Sequence, residues 1–358
     1  MKIGFDAFPL QEKPSGIGKY ILALLKNIIE YVPDAEFIAY SNREIIIPEN
    51  LKNSIKIRSF QNKLPGKIWL KFFSGKFIKE DNLDYYISTS GFFPILSKKV
   101  KKIAIIHDFN YKLVPETMGR MHFLSHLLFF KKDVKSADFI ICNSQGTANK
   151  LKNYFNKDTN EIINPPVSDI FYKRSIDEIN HIKQKYNINS EYVLFVGNLE
   201  PRKNLKFVIE NYLNLINSKK IENVKLVIVG LKGWKNKTID ILLKKHTEDI
   251  LVLGYVEEND LPAIYSGAKV FVFPSIYEGF GIPVRESLLC GTPIITTEIL
   301  ELKESANICN EKDLVSFIKE NDKNGFQKEL LNFINIDKKC NVSNKKISIE
   351  KTISLFKK

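Results

Sequence analysis

VFVFPSIYEGFGIPVRESLLCGTPIITT, Val270 to Thr297, is the stretch on which the reading of the fold turns. It opens on Val270–Phe273, a short run of β-branched and aromatic residues that fits a buried parallel strand. In the loop that follows, Gly279 and Gly281 bracket Phe280, so two backbone positions without a Cβ can approach a ligand closely. Pro283 stands where a first helical residue belongs, and Leu288 and Leu289 carry the helix inward. Gly291 and Pro293 end that helix, and Ile294–Thr296 reads as the next strand. Strand, glycine-bearing loop and helix N-terminus make the arrangement that α/β proteins use for anionic ligands.

Two carboxylates sit on this unit. Glu278 precedes the glycines, and Glu286 is expected in the first turn of the helix. Taken singly, a first-turn acid complements the helix dipole and a loop acid is solvated. Two acids around a Gly-Phe-Gly loop, at the C-terminal end of a buried strand, point instead to one crevice. The string E-G-F-G-x-P-x-x-E followed by C-G-T-P resembles the E-x7-E signature of the family-4 retaining glycosyltransferases, with a dozen positions agreeing in order and spacing. The resemblance implies an α/β chain of GT-B fold. That fold has two Rossmann-like, doubly wound parallel-sheet domains facing a cleft, with a C-terminal helix crossing back to the first. Arg285 departs from the pattern, since the family usually carries an aliphatic residue there.

Size and composition agree with two domains. The chain has 358 residues, 44% hydrophobic and 27% charged, which is ordinary for a globular protein. No run approaches the ~18 apolar residues of a membrane span, and MKIGFDAF lacks the long apolar region of a signal peptide, so a cytoplasmic start is expected. Cys142, Cys290, Cys309 and Cys340 lie far apart, without metal-ligand or C-x-x-C spacing, and read as reduced structural thiols. The net charge of +13 suits an anionic surface: nucleic acid, phospholipid headgroups or a diphosphate. Charge alone does not choose among them.

Along the chain, strands are expected at Lys2–Ala7, Glu36–Tyr40, Ile55–Arg58, Tyr85–Ser88, Ile103–Ile106 and Phe139–Cys142, alternating with helical patterns. Gly16-Ile17-Gly18 follows the first strand as a loop, with a helix from about Tyr20. Asn62–Glu80 carries Ile68, Trp69, Phe72, Phe73 and Phe77 among Lys63, Lys67, Lys71, Lys76 and Lys79. It reads either as a membrane-interface segment or as core aromatics with solvated lysines, and Gly75 weakens a continuous helix. Met121–Phe130, flanked by Arg120 and Lys131-Lys132, is a second apolar segment of the same kind. His107-Asp108 and Asn143-Ser144 each follow a strand, at the edge where α/β ligands bind. Asn160–Ser175, with Pro165-Pro166, reads as an interdomain connection. Domains are therefore placed at 1–170 and 171–340, with 341–358 a terminal helix. In the second domain Tyr192–Val196, Val224–Gly230 and Ile250–Val256 read as strands. Asn204 is expected to cap a helix that buries Leu205, Val208, Ile209 and Tyr212.

The family resemblance extends to G-N-L-E-P-R-K-N, residues 197–204, which is similar to the family's phosphate-gripping segment. What it implies is a nucleotide-sugar donor as co-substrate, with no metal required and no D-x-D triplet present. Arg202 and Lys203 would neutralise the diphosphate, and Gly16, Gly18, Gly279, Phe280, Gly281 and Ile282 would line it. Glu286 would accept from the ribose hydroxyls, Glu278 would hold the donor sugar, and His107 would contact the transferred sugar. Glu278, His107, Arg202 and Lys203 are the expected catalytic set. The activity implied is a metal-independent retaining hexosyl transfer, GDP-mannose being favoured over UDP- or dTDP-linked GlcNAc, Gal, Glc or rhamnose. The acceptor would be a lipid-linked or oligosaccharide glycan of O-antigen, lipopolysaccharide or capsule, met at an anionic membrane surface on the cytoplasmic side. A nucleic-acid-binding protein is the rival reading, but no helix-turn-helix, zinc or RNP signature supports it. A dehydrogenase would need G-x-G-x-x-G, which Ile21 breaks, and an epimerase on the same fold stays open. The oligomeric state is not written in the sequence.

Overall fold

A computed structural model describes residues 1–11, 16–231, 237–309, 312–336, 342 and 350–356. It divides into two compact units: Met1–Pro166 with Ile347–Lys358, and Val167–Lys346. Each is built on an all-parallel sheet whose central strands are buried on both faces, hence their nearly continuous apolar sequences.

In the first unit the strands are β1 (Lys2–Asp6), β2 (Glu36–Ser41), β3 (Ile55–Ser59), β4 (Tyr85–Ser88), β5 (Lys101–Ile106), β6 (Phe139–Cys142) and β7 (Glu161–Ile162). Their order is β3-β2-β1-β4-β5-β6-β7. In the second unit β8 (Glu191–Val196), β9 (Val224–Val229), β10 (Ile250–Gly254), β11 (Val270–Phe273), β12 (Ile294–Thr297) and β13 (Val315–Ile318) are ordered β10-β9-β8-β11-β12-β13. Chain order reverses between β1 and β4 in one sheet and between β8 and β11 in the other. At such a switch the loops leaving two neighbouring strands diverge and open a crevice at the C-terminal edge.

Several local expectations are corrected. The helix after β1 begins at Gly16, so Gly16 and Gly18 lie in its first turn, and Gly18 is buried. Residues 12–15, Cys340 and most of the stretch between Ile336 and Glu350 lie outside the described residues. Asn204 takes a left-handed conformation (φ 57°) and makes no side-chain cap, although Leu205, Val208, Ile209 and Tyr212 are all buried as expected. Strands β7 and β13 went unread. One has two residues, and the other lies in a Lys- and Asn-rich stretch. Asn62–Glu80 folds as two helices, Gly66–Phe72 and Gly75–Glu80, broken before Gly75.

The terminal helix Glu350–Phe356 belongs to the first unit. Its Thr352 amide and hydroxyl both donate to Oε2 of buried Glu161 on β7, the amide at 2.6 Å. Tyr85 packs its ring edge against Phe356 at 5.0 Å and donates its hydroxyl to the Leu355 carbonyl at 3.2 Å. A buried carboxylate that loses a donor is costly, so Thr352→Val is expected to lower stability by about 1.5–3 kcal/mol, read as a shift in the urea midpoint.

Candidate functional site

At the second unit's switch point, the loop after β8 runs from Gly197 to Asn204 and the loop after β11 from Pro274 to Gly281. The Ile276 amide donates to the Arg202 carbonyl at 2.9 Å, stitching the loops together. This register brings Lys203 Nζ to 2.5 Å and Arg202 Nη1 to 2.9 Å from one Glu278 oxygen, Oε1. Arg202 Nε is 2.9 Å from Glu200, and the Lys203 ammonium stands 4.4 Å over the Phe273 ring. Glu278 and Lys203 are buried. Burial alone would raise the Glu278 carboxyl, but the Arg202 and Lys203 charges reverse that and hold it at about 2. Burial lowers the Lys203 ammonium, and Glu278 pulls it back. The expected catalytic residues of this unit thus form one interlocked charge cluster.

Gly281 caps the helix Ile282–Leu289 in a left-handed conformation, φ 86°. A Cβ there would stand 2.3 Å from Leu302 Cδ2, so only glycine fits the turn. Glu286 is the fifth helical residue, one step past the expected first turn. Buried Tyr265 donates its hydroxyl to Glu286 Oε2 at 3.0 Å, a partner that sequence reading missed because Tyr265 sits in an otherwise apolar helix. Arg285, the departure from the family pattern, lies 4.6 Å over the Phe280 ring and donates Nε to the Ser305 carbonyl at 3.3 Å. Its long stem and planar head cover Phe280, a task an aliphatic residue performs by packing alone. Ser305 Oγ in turn donates to the Gly281 carbonyl at 2.8 Å.

The first unit carries a second polar cluster at its own switch point. Asp6, at the end of β1, is fully buried and accepts from the Thr89 amide (2.8 Å), Thr89 Oγ1 (2.7 Å) and Ser90 Oγ (3.1 Å) beyond β4. Burial pushes its carboxyl up to about 6. His107, after β5, places Nε2 at 2.7 Å from the Thr89 carbonyl. A carbonyl only accepts, so Nε2 carries the proton and Nδ1 is left as an acceptor in the neutral ring. Burial lowers the His107 imidazole, which favours that neutral form. The Asp6–Thr89 part was not anticipated, because an Asp ending a strand carries no pattern of its own. Asn143 is buried beside β6, and Ser144 caps the following helix by accepting from the Thr147 amide at 3.0 Å.

The basic aromatic segment divides between core and surface. Trp69 is buried and Phe77 stacks on Phe60 at 3.8 Å, whereas Phe72 and Phe73 are 60% and 53% exposed. Lys71 pairs with Asp133 at 2.5 Å, and Lys67 turns inward over the Phe92 ring at 4.2 Å. Neither is the solvated lysine expected of it; Lys63, Lys76 and Lys79 are exposed.

Two parallel-sheet Rossmann-like units in this order are shared with solved glycosyltransferases of GT-B fold, and the fold of this chain is GT-B. Residues 177–347 match the family model described as Glycosyl transferases group 1, and the chain carries that domain. Over 324 residues the chain is 27% identical to O-antigen chain mannosyltransferase B of Escherichia coli, covering 85% of this chain and 84% of that protein. The structure of WaaG, a glycosyltransferase involved in lipopolysaccharide biosynthesis, aligns with TM-score 0.71 at 14% identity, covering 94% of this chain and 91% of that one. Anabaena HepE in complex with UDP and glucose aligns with TM-score 0.66 at 17% identity, covering 94% and 90%. No helix among the described residues is long and apolar enough to cross a membrane.

Removing one partner of a buried ion cluster leaves the others uncompensated. Glu278→Gln is therefore expected to destabilise the second unit by about 3 kcal/mol at pH 7. The folded value of about 2 lies below the ordinary 4.5. The stabilisation is thus present above pH 4.5 and lost as pH falls through about 2. Denaturation of wild type and variant should differ by a constant amount from pH 7 to about 5 and converge only below.

Proposed function

We propose that the chain is a retaining, metal-independent hexosyltransferase that moves mannose from GDP-mannose to a lipid-linked or oligosaccharide acceptor of a surface polysaccharide. The observation that carries this reading is the Arg202–Lys203–Glu278 cluster, with Glu286 on the helix that follows, at the switch point of a glycosyl transferases group 1 domain. The mannose assignment is supported by the O-antigen mannosyltransferase relative. A UDP-hexose donor is the second reading, favoured by the fold neighbour that binds UDP and glucose.

On this reading Arg202 and Lys203 neutralise the donor diphosphate, whose negative charge grows as the sugar leaves. Glu286, oriented by Tyr265, accepts from the ribose hydroxyls. Glu278 holds a sugar hydroxyl while it keeps Arg202 and Lys203 aimed, and the amides from Gly279 to Ile282 line the phosphates. His107 offers neutral Nδ1 to a hydroxyl of the transferred sugar. The acceptor hydroxyl attacks from the face the diphosphate departs, and a departing phosphate oxygen takes its proton.

Radiolabelled GDP-mannose, UDP- and dTDP-sugars, each assayed for slow hydrolysis with and without EDTA, test this directly. GDP-mannose is expected to be cleaved fastest and EDTA to leave the rate unchanged; a preference for UDP-glucose reassigns the donor. A charge-assisted hydrogen bond contributes about 1.5–3 kcal/mol, so Arg202→Ala should weaken GDP binding roughly tenfold or more by calorimetry.

The acceptor side is proposed to meet an anionic membrane surface. Met121, Leu124, Leu127 and Leu128 are 51–60% exposed on consecutive helical turns, as are Phe72 and Phe73 nearby in the first unit. Phe72 touches Phe129 edge-on at 5.9 Å, which joins the two segments into one face. Exposed Arg120, Lys131, Lys132 and Lys135 flank it with the charge that anionic headgroups attract. Each such cation contributes about 1 kcal/mol, so Lys131→Glu with Lys132→Glu should lower affinity for phosphatidylglycerol vesicles by at least tenfold. Wild-type protein that fails to float with those vesicles at low salt contradicts the membrane reading.

A further inference from the structure

Three basic side chains meet in the first unit, and among the described residues no carboxylate is paired with them. Lys67 Nζ lies 3.3 Å from His122 Nε2 and 3.3 Å from His126 Nε2. The two imidazoles are themselves 4.6 Å apart, centroid to centroid. They come together because they stand four residues apart on one helical face, at the junction where the α-helix Arg120–Ser125 passes into a π-helical segment, His126–Phe130. Such an extra-wide turn is uncommon and is frequently found at functional sites. His126 Nδ1 lies 2.8 Å from the His122 carbonyl, so Nδ1 carries the proton and Nε2 points its lone pair at Lys67. Tyr111 stacks on His126 at 5.4 Å and Phe92 meets its edge at 4.9 Å, fixing the ring.

The charges around this group do not balance it. Asp108 and Asp6 face Lys67 at longer range, and His107 faces it as well. Asp108 is occupied by the Asn110 amide and side chain, both at 2.9 Å, and Asp6 by Thr89 and Ser90. Burial lowers the Lys67 ammonium to about 7, while burial and the Lys67 charge lower His122 to about 4 and His126 to about 3. Near pH 7 the two imidazoles are thus neutral and Lys67 is only partly charged, with no close counter-ion among the described residues. His122 is exposed, so an anion can reach the group.

We propose that Lys67, His122 and His126 form an anion site for the diphosphate of a lipid-linked acceptor. The proposal rests on the acceptor reading above and adds to it a place for the headgroup. The ligand class follows from the neighbours: Met121, Leu124, Leu127 and Leu128 present an exposed apolar face on the same helical segment. A phosphate beside a long apolar chain is the chemistry that would use both. Binding brings an anion to within hydrogen-bond reach of the Nε2 atoms, which favours their protonated forms. Each imidazole that charges takes one proton from solvent, so binding consumes protons and strengthens as pH falls from 8 to 6.

Geranyl diphosphate, a short soluble polyprenyl diphosphate, is the probe. Calorimetry at pH 7 in two buffers of different ionisation enthalpy reads affinity and proton uptake together, and GDP titrated separately reports on the second unit. Expected are net proton uptake by wild type, and an affinity loss of roughly tenfold or more in His122→Asn and in His122→Asn/His126→Asn. GDP affinity should stay unchanged in these variants. Uptake must exceed that of the double variant, since the probe itself titrates. His122 is exposed and its replacement leaves the core intact; Lys67→Met, checked for folding by circular dichroism, gives the second arm. Equal probe affinity in wild type and all variants, or no excess proton uptake, overturns the site. Phosphatidylglycerol vesicles that bind wild type but not these variants, while geranyl diphosphate does not bind, also overturn it, because the group then reads a bulk headgroup. Loss of GDP binding in wild type would instead count against the donor reading, which separates the two failures.

Discussion

Parallel strands all end at one edge, and every charged group discussed here follows from what that edge must accommodate. In the second unit two cations and a carboxylate are drawn out of water between the loops after β8 and β11. Ions so placed are tolerated only when each has a partner at close range, and Glu278 Oε1 serves both Lys203 and Arg202. The arrangement fixes the two loops relative to each other before any ligand arrives. Side chains oriented in advance need no reorganisation when charge develops on a leaving group, and this is where electrostatic stabilisation is most effective. Gly281 belongs to the same constraint. Its left-handed turn starts the helix at a point that leaves Glu286 in reach of Tyr265, and Leu302 leaves no room for any other residue.

Much of this was legible because parallel-sheet sequences are locally redundant. Apolar runs such as Val270–Phe273 and Val224–Val229 announce buried strands, and glycine or proline marks where each run stops. Arg202 and Lys203 are recognisable through the family resemblance of residues 197–204, and Glu278 through that of the E-x7-E string; all three follow such strands. What stayed hidden lies in partnerships across long separations. Asp6 and Thr89 are 83 residues apart, as are strands β1 and β4 in the chain, and nothing in either segment names the other. Strand β7 has only two residues, too few for any period, and its meaning depends on a terminal helix almost two hundred positions on.

The lysines of Asn62–Glu80 show the limit in a different way. A charge in an aromatic-rich helix looks solvated from sequence, since long cationic side chains usually reach water. Lys67 and Lys71 are four residues apart and share one helical face, which packs toward Phe92 and Asp133 while Phe72 and Phe73 turn outward. The helix therefore departs from the amphipathic expectation on one face only. Trp69 and Leu70 are buried, yet Phe72 and the adjoining Phe73 face solvent while Lys67 and Lys71 are committed inside. An exposed apolar face of this size on a folded domain calls for a partner, and its flanking cations favour an anionic one.

The two units also differ in how they respond to pH, and the difference follows from their counter-ions. Glu278 is held near 2 by adjacent cations, so this carboxylate stays ionised throughout the physiological range. In the first unit Asp6 stands near 6 and Lys67 near 7, because burial there is not offset by a close opposite charge. As pH falls from 8 to 6, Lys67 gains its proton and Asp6 begins to lose its negative charge. Both changes make that edge of the first sheet more positive, while Glu278 at the edge of the second stays ionised. A pH dependence contributed by the protein's buried groups in this range should accordingly enter through what the first unit binds.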